Sequence, residues 1–284
     1  MIKSGSLKPG RLTVTMHAPS PLLAQLTEAA QQAGNIALDW FRPGAPTSAR
    51  VDSKEGGSPV TEADHAVDGF LRDLLPPLIP GAAWLSEETE DDAQRLSRDH
   101  VIIVDPIDGT RAFLGGDPRW GVCIALVSHG RPVMGVIHMP ALAQTFVAEA
   151  GAGAFRNGSR IAASQRLNLT GATVAGPASV VKSLSEDGLN LVFEPKVPSL
   201  AYRFARVAEG SLDAGLASTN ACDWDIAAAD IILLEAGGRV SDLDGRPPAY
   251  NRAGVRHGIL GAAPDHLHAQ FTAALRRAVR PTGK

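Results

Sequence analysis

Apolar positions first recur along the chain at helical spacing. In PLLAQLTEAAQQAGNIALDWF, residues Leu22, Leu26, Ala29, Ala33, Ile36, Ala37 and Trp40 share one face of a helix predicted over Pro21–Phe41. Ser20 is placed to cap it and Pro21 takes its first position. TEADHAVDGFLRDLL predicts a second amphipathic helix over Thr61–Leu75, stopped by Pro76 and Pro77. The period then changes. Short apolar runs predict strands at Ala83–Ser86, Val101–Asp105, Gly121–Ser128, Pro132–His138 and Thr145–Ala150. The turns HGRP and HMPALA between them suggest an antiparallel meander.

A change of composition near Asn157–Gly176 marks the passage to a second unit. There the pattern predicts helices at Leu200–Glu209, Ile226–Glu235 and Pro264–Val279, and strands at Leu212–Ala217, Arg239–Asp242 and His257–Ala263. Helices and strands come in clusters rather than in strict alternation, which points to an α+β fold in two subdomains. The expected division is a flexible tail over residues 1–20, an N-terminal subdomain over 21–160 and a C-terminal one over 161–284.

Composition narrows the function classes. With 27 Lys+Arg against 30 Asp+Glu the net charge is −3, so no basic excess points to a nucleic-acid polymer or an anionic membrane surface. The apolar runs VIIV, GVCIALV and AADIILLEA are far shorter than the roughly 20 residues of a membrane span. MIKSGSLKPGRLTVTMHAPS is polar and broken, unlike a secretory signal. Cys123 and Cys222 read as buried reduced thiols, which suggests a cytoplasmic location.

Four acidic clusters stand at predicted element ends: SPVTEAD, WLSEE, VDPIDGT and DWDI. The third is unusual, because its carboxylates close a run of branched apolar residues, where an unpaired charge costs several kcal/mol. Pro106 holds the backbone extended, Gly109 permits a tight turn, and the Ile107 carbonyl can turn inward between Asp105 and Asp108. Carboxylates with a backbone carbonyl suit a hard divalent cation, and the N–H groups of Gly109 and Thr110 suit a phosphate. Side by side, they imply metal-assisted phosphoryl chemistry.

VDPIDGTRAF, preceded by LSEE and followed by DWDIAAADIILLEAGGRV, resembles the signature pair of the inositol monophosphatase superfamily of Mg²⁺-dependent, often lithium-sensitive phosphatases. The likeness runs from about Leu22 to the end in the family's order and spacing. It implies a layered α/β/α/β/α sandwich and a phosphomonoesterase using metal-activated water for in-line attack, with two to three Mg²⁺ ions. Position by position, Asp105 would bridge two ions, the Ile107 carbonyl would bind one and Asp108 the other, with Asp225 completing that second site, and Asp108 and Asp225 would also face the substrate. Glu87 is the expected ligand in LSEE, with Glu88 behind it or solvated. Asp64 would hold the nucleophilic water and, in some members, a third ion. Gly109 and Thr110 would offer N–H groups to the phosphate, and the Thr110 hydroxyl would orient the water with Asp64. A protein that keeps only phosphate affinity is the alternative from another class, and hydrolysis separates the two.

Within the superfamily, WLSEE, DPIDGTRAF, DLDGRPPAYN and YRFARVAEGSLDA are most similar to the 3′(2′),5′-bisphosphate nucleotidase branch. That implies hydrolysis of 3′-phosphoadenosine 5′-phosphate, with inositol 1-phosphate, another sugar phosphate or histidinol phosphate as the alternative. Arg111 and Arg203 either bind a second phosphate or are solvated surface groups. Tyr250 either stacks on a base or caps the core. Ser218 stands where many inositol monophosphatases carry a glutamate, while PSLAYR departs from the nucleotidases' Gly-Ser-rich approach to the basic residue. The partner is a small phosphorylated metabolite, and the superfamily includes both monomers and homodimers.

Overall fold

The computed structural model describes residues 20–54, 57–184, 188–194 and 197–279. All but the last residue of the expected N-terminal tail lies outside them. The first helix, α1 (Pro21–Leu38), opens as its sequence predicts: Ser20 is extended and its Oγ accepts from the Leu23 N–H at 3.2 Å. It stops three residues short of the predicted Phe41. A hairpin of β1 (Val51–Ser53) and β2 (Pro59–Thr61), not foreseen, leads into α2 (Glu62–Leu74).

The meander follows. Strands β3 (Ala83–Ser86), β4 (His100–Asp108), β5 (Gly121–Ser128), β6 (Arg131–Met139), β7 (Gln144–Glu149), β8 (Gly153–Arg156) and β9 (Ser159–Arg160) lie in that order in one seven-stranded sheet, with the short helix α3 (Thr110–Leu114) between β4 and β5. Only β3 pairs parallel to its neighbour; the rest is antiparallel as expected. Side chains alternate across β4: Ile102 and Val104 pack on α1 and α2, whereas Val101 and Ile103 face the other way. Both faces are covered, which is why VIIV is a continuous apolar run rather than an alternating one.

In the second half, β10 (Thr173–Ala175), α4 (Ala178–Leu184), β11 (Val192–Phe193), α5 (Leu200–Ala208), β12 (Ala214–Ala217), α6 (Asp223–Glu235), β13 (Gly238–Ser241), β14 (Leu260–Pro264) and α7 (Asp265–Val279) form a five-stranded sheet, ordered β11-β10-β12-β14-β13, with its helices. Helices α5 and α6 fill the space between the two sheets, and α4 and α7 cover the outer face of the smaller one. The layers therefore run α/β/α/β/α, as the resemblance implied. Helix α6 reaches very close to the large sheet: a Cβ at Gly135 would sit 2.6 Å from the Ala228 carbonyl. This helix begins three residues earlier than its periodicity predicted, because Asp223 and Asp225 occupy its first turn. No helix among the described residues is long and apolar enough to cross a membrane.

Candidate active site

The candidate site lies where the order of β4 breaks. Asp105 still pairs with Cys123, but the ladder then slips, so that Asp108 faces Gly121. Pro106 has no N–H to give to the ladder, and the Ile107 N–H turns back to donate to Asp105 Oδ1 at 3.1 Å. Gly109 follows with φ +93°, and a side chain there would press on the Arg119 carbonyl and Ser199. The turn therefore requires glycine. The Thr110 hydroxyl donates to the Ile107 carbonyl at 3.1 Å.

The other carboxylates come from helix starts. Asp64 is the third residue of α2, and its Oδ2 accepts from the Thr61 N–H and hydroxyl at 2.7 and 2.6 Å. Asp225 holds the same position in α6, where its Oδ2 accepts from the Cys222 N–H at 2.6 Å. One oxygen of each carboxylate is thus tied to its own helix cap. Asp108 accepts from the N–H groups of Leu200 and Ala201 at 3.2 and 2.8 Å, and from the Ser199 hydroxyl, so it also caps α5 across the seam.

Asp105, Asp108 and Asp225 bring one oxygen each to within 4.8 Å of one another. Burial is the main force on all three, and mutual repulsion adds to it. Asp105 is pushed well above the usual carboxylate range by burial and then by Glu87, Asp108, Asp225 and Asp64. Burial and Asp108 push Asp225 up to about 8, against the donated Cys222 N–H. Burial pushes Asp108 up to about 6, with the Ser199, Ala201 and Leu200 donors opposing. A buried set of oxygen donors that repel one another matches a hard divalent cation, and the set contains no histidine or cysteine that would favour zinc.

Glu87 lies at the end of β3, and its charge acts on Asp64, Asp105, Asp108 and Asp225 alike. The Lys54 ammonium donates to Glu87 at 2.7 Å and to Glu88 at 2.6 Å. Burial works against that ammonium, but the two glutamates outweigh it and hold its pKa above the ordinary value. Glu88 is not solvated: its side chain is 3% exposed, and burial pushes it up to about 7 despite Lys54. Lys54 and Ser199 are the two site residues that the sequence reading passed over. Ser199 carries a local signal, a serine just before a helical run. Lys54 carries none, since its partners are more than thirty residues away.

Glu87, Gly109, Thr110, Arg111, Arg203 and Ser218 line one cavity of about 710 Å³. Arg203 is not a solvated surface group. Its Nη1 and Nη2 donate to the Leu216 and Val197 carbonyls at 2.5 and 2.6 Å, and its buried Nε has no partner among the described residues. Tyr250 is elsewhere. It is 2% exposed, and its hydroxyl donates to Asp230 at 2.9 Å, so it fills the core and does not line this cavity. Tyr250→Phe should therefore lose about 1 kcal/mol of stability in denaturant unfolding and leave KM unchanged; a raised KM would return the ring to the substrate.

Buried carboxylates gathered at the seam of a layered α+β fold, together with the family that this chain matches, define the class as a phosphoric monoester hydrolase. Residues 18–280 match the inositol monophosphatase family, and the chain belongs to it. It is 34% identical over 244 residues to the 3′(2′),5′-bisphosphate nucleotidase CysQ of Aggregatibacter actinomycetemcomitans, covering 81% of this chain and 88% of that one. It is 35% identical over 242 residues to an inositol-1-monophosphatase of Mesorhizobium japonicum, covering 80% and 88%. Among solved structures, the extragenic suppressor protein suhB of Bartonella henselae superimposes with a TM-score of 0.77 at 28% identity, over 92% of this chain and all of that one.

Proposed function

We propose that the chain is a Mg²⁺-dependent 3′(2′),5′-bisphosphate nucleotidase that hydrolyses 3′-phosphoadenosine 5′-phosphate to AMP and phosphate. The observation that carries the choice of substrate is Arg203. Its guanidinium is largely buried beside the cavity and, among the described residues, is held by carbonyls rather than a carboxylate, with Nε unpartnered. A buried cation of that kind fits a second anionic group on the substrate. Arg111, on the same cavity, adds to it, and Ser218 supplies no carboxylate for a polyol ring. The nucleotidase relative supports the same reading.

In this reading Asp64, Glu87, Asp105, Asp108, Asp225 and the Ile107 carbonyl hold two to three Mg²⁺ ions. When bound, Mg²⁺ neutralises phosphate charge and lowers the pKa of water. Gly109 and Thr110 offer backbone N–H groups to the phosphate, and the Thr110 hydroxyl with Asp64 orients the attacking water opposite the leaving oxygen. Every residue required comes from one chain, and the two free cysteines fit a cytoplasmic setting.

The test compares kcat/KM on 3′-phosphoadenosine 5′-phosphate, inositol 1-phosphate and fructose 1,6-bisphosphate, with Mg²⁺ and with EDTA. The bisphosphorylated nucleotide should lead by about tenfold or more, the scale of one charge-assisted contact, and EDTA should remove hydrolysis. A preference for inositol 1-phosphate would replace the nucleotide reading, and activity that survives EDTA would remove the cation from it.

A further inference from the structure

DLDGRPPAYN has no part in the reaction just described, yet its Asn251 ties together the two sides of the carboxylate cluster. Asp105, Asp108 and Glu87 belong to the large sheet and the loop beside it, whereas Asp225 belongs to α6. Asp223, fully buried in the first turn of α6, gathers residues 251–257 around it. The Asn251 N–H donates to its Oδ2 at 3.1 Å, His257 Nε2 lies 2.7 Å from its Oδ1, and its own N–H donates to the Val255 carbonyl at 2.9 Å.

The Asn251 side chain then reaches across to the other side. Its Oδ1 accepts from Arg95 Nη1 at 2.9 Å, and its Nδ2 donates to the Arg95 carbonyl at 3.0 Å. Arg95 is 2% exposed and donates through Nε and Nη2 to both oxygens of Asp91, at 2.5 and 2.8 Å. Asp91 is four residues beyond Glu87 on the same loop. The same segment is fastened to the β5–β6 turn by the Tyr250 N–H on the Gly130 carbonyl and by Arg131 on the Pro248 carbonyl, at 3.2 and 2.9 Å. Asn251 has φ +53°, a conformation that asparagine tolerates, and both ends of its amide are used.

A continuous hydrogen-bonded path therefore runs from the helix that carries Asp225 to the loop that carries Glu87. We propose that Asn251 is a positioning residue that sets the spacing of Asp225 from Asp105, Asp108 and Glu87, and through that spacing the affinity for a divalent cation. The proposal rests on reading the carboxylates as a cation site. Groups that only orient ligands still govern affinity, because a cation site tolerates little displacement of its donors.

Calorimetric titration of the full chain with Mg²⁺ alone, without substrate, tests it. Asn251→Gly removes the side chain while accepting the backbone conformation, and should weaken Mg²⁺ binding about tenfold. Asn251→Asp keeps the acceptor for Arg95 but gives up the donated bonds; it should lose about threefold, and it carries the test if the glycine variant does not fold. Arg252→Ala, which removes an exposed side chain from the same segment, should bind Mg²⁺ as the wild type does. Wild-type Mg²⁺ affinity in a folded Asn251 variant, even with a lowered melting temperature, overturns the proposal, because the strap then only stabilises. Absence of Mg²⁺ binding by the wild type overturns the cation-site reading itself, and the proposal with it.

Discussion

Asp105→Asn should lose more than about 100-fold in turnover, beyond what loss of a residue merely supporting a metal ligand costs, and should melt at a higher temperature than the wild type in EDTA. The two readouts move in opposite directions for one reason. The Asp105 carboxylate is buried, and the charges of Glu87, Asp108, Asp225 and Asp64 all disfavour its ionisation. Asparagine keeps its shape and still offers Oδ1 to the Ile107 N–H. Where the cluster is ionised it removes one negative charge that a proton or a metal cation must otherwise neutralise, so at alkaline pH folding without the cation becomes easier while cation binding becomes harder. A residue serving the fold alone would lose on both counts when replaced. Steady-state kcat at saturating Mg²⁺ and a melting curve in EDTA at alkaline pH check the pair. Near-normal turnover would move the cation elsewhere, and a lowered melting temperature would mean that contacts, rather than charge, govern the site.

What could be read from the sequence followed the range of the interaction. VIIVDPIDGT announced both a core strand and a break in it, because Pro106 and Gly109 act on the backbone where they stand. Ser20, Pro21 and Pro76 marked helix ends for the same local reason. The elements that were missed are short or lie at sheet edges. Strand β1 is exposed along its length and β11 has two residues, so neither carries a period. Helix α6 was seen but started late, since its first turn is polar at Asp223 and Asp225 in the service of a cap and a network rather than a core. Among candidate site residues, those on signature motifs were named by resemblance, whereas Lys54 is joined to its partners only by the fold. Tyr250 was open to two readings, and its burial decides between them. An aromatic residue beside asparagine and proline could be read as a ligand platform, yet its hydroxyl is spent on Asp230 inside the core.

The melting temperature of the wild type in EDTA should fall as pH rises from about 5 to 8, and Mg²⁺ should raise it more at pH 8 than at pH 5. The sign follows from where the protons are held. In the folded chain burial pushes Asp225 up to about 8, Glu88 to about 7 and Asp108 to about 6, and holds Asp105 above its usual range. Unfolded, each returns to about 4. Between those limits the folded state binds more protons than the unfolded one, so stability declines with rising pH. The penalty is absent below the unfolded value, grows through each folded value and is complete above the highest. A net few kcal/mol, on the order of 5 °C for a chain of this length, is the expected scale. Three groups outside the cluster also contribute. Asp230, pushed up to about 6 by burial, adds to the decline, while His138, pushed down to about 4 by burial, and His268, also pushed down by burial, destabilise as pH falls below their ordinary range. None belongs to the acidic group that could hold a cation, so all three act equally with and without Mg²⁺ and cancel in the difference between the two curves. That difference isolates the cluster, because at pH 5 protons already neutralise part of the charge that Mg²⁺ would otherwise offset. An equal Mg²⁺ shift at both pH values would show that the cation is not held by these carboxylates.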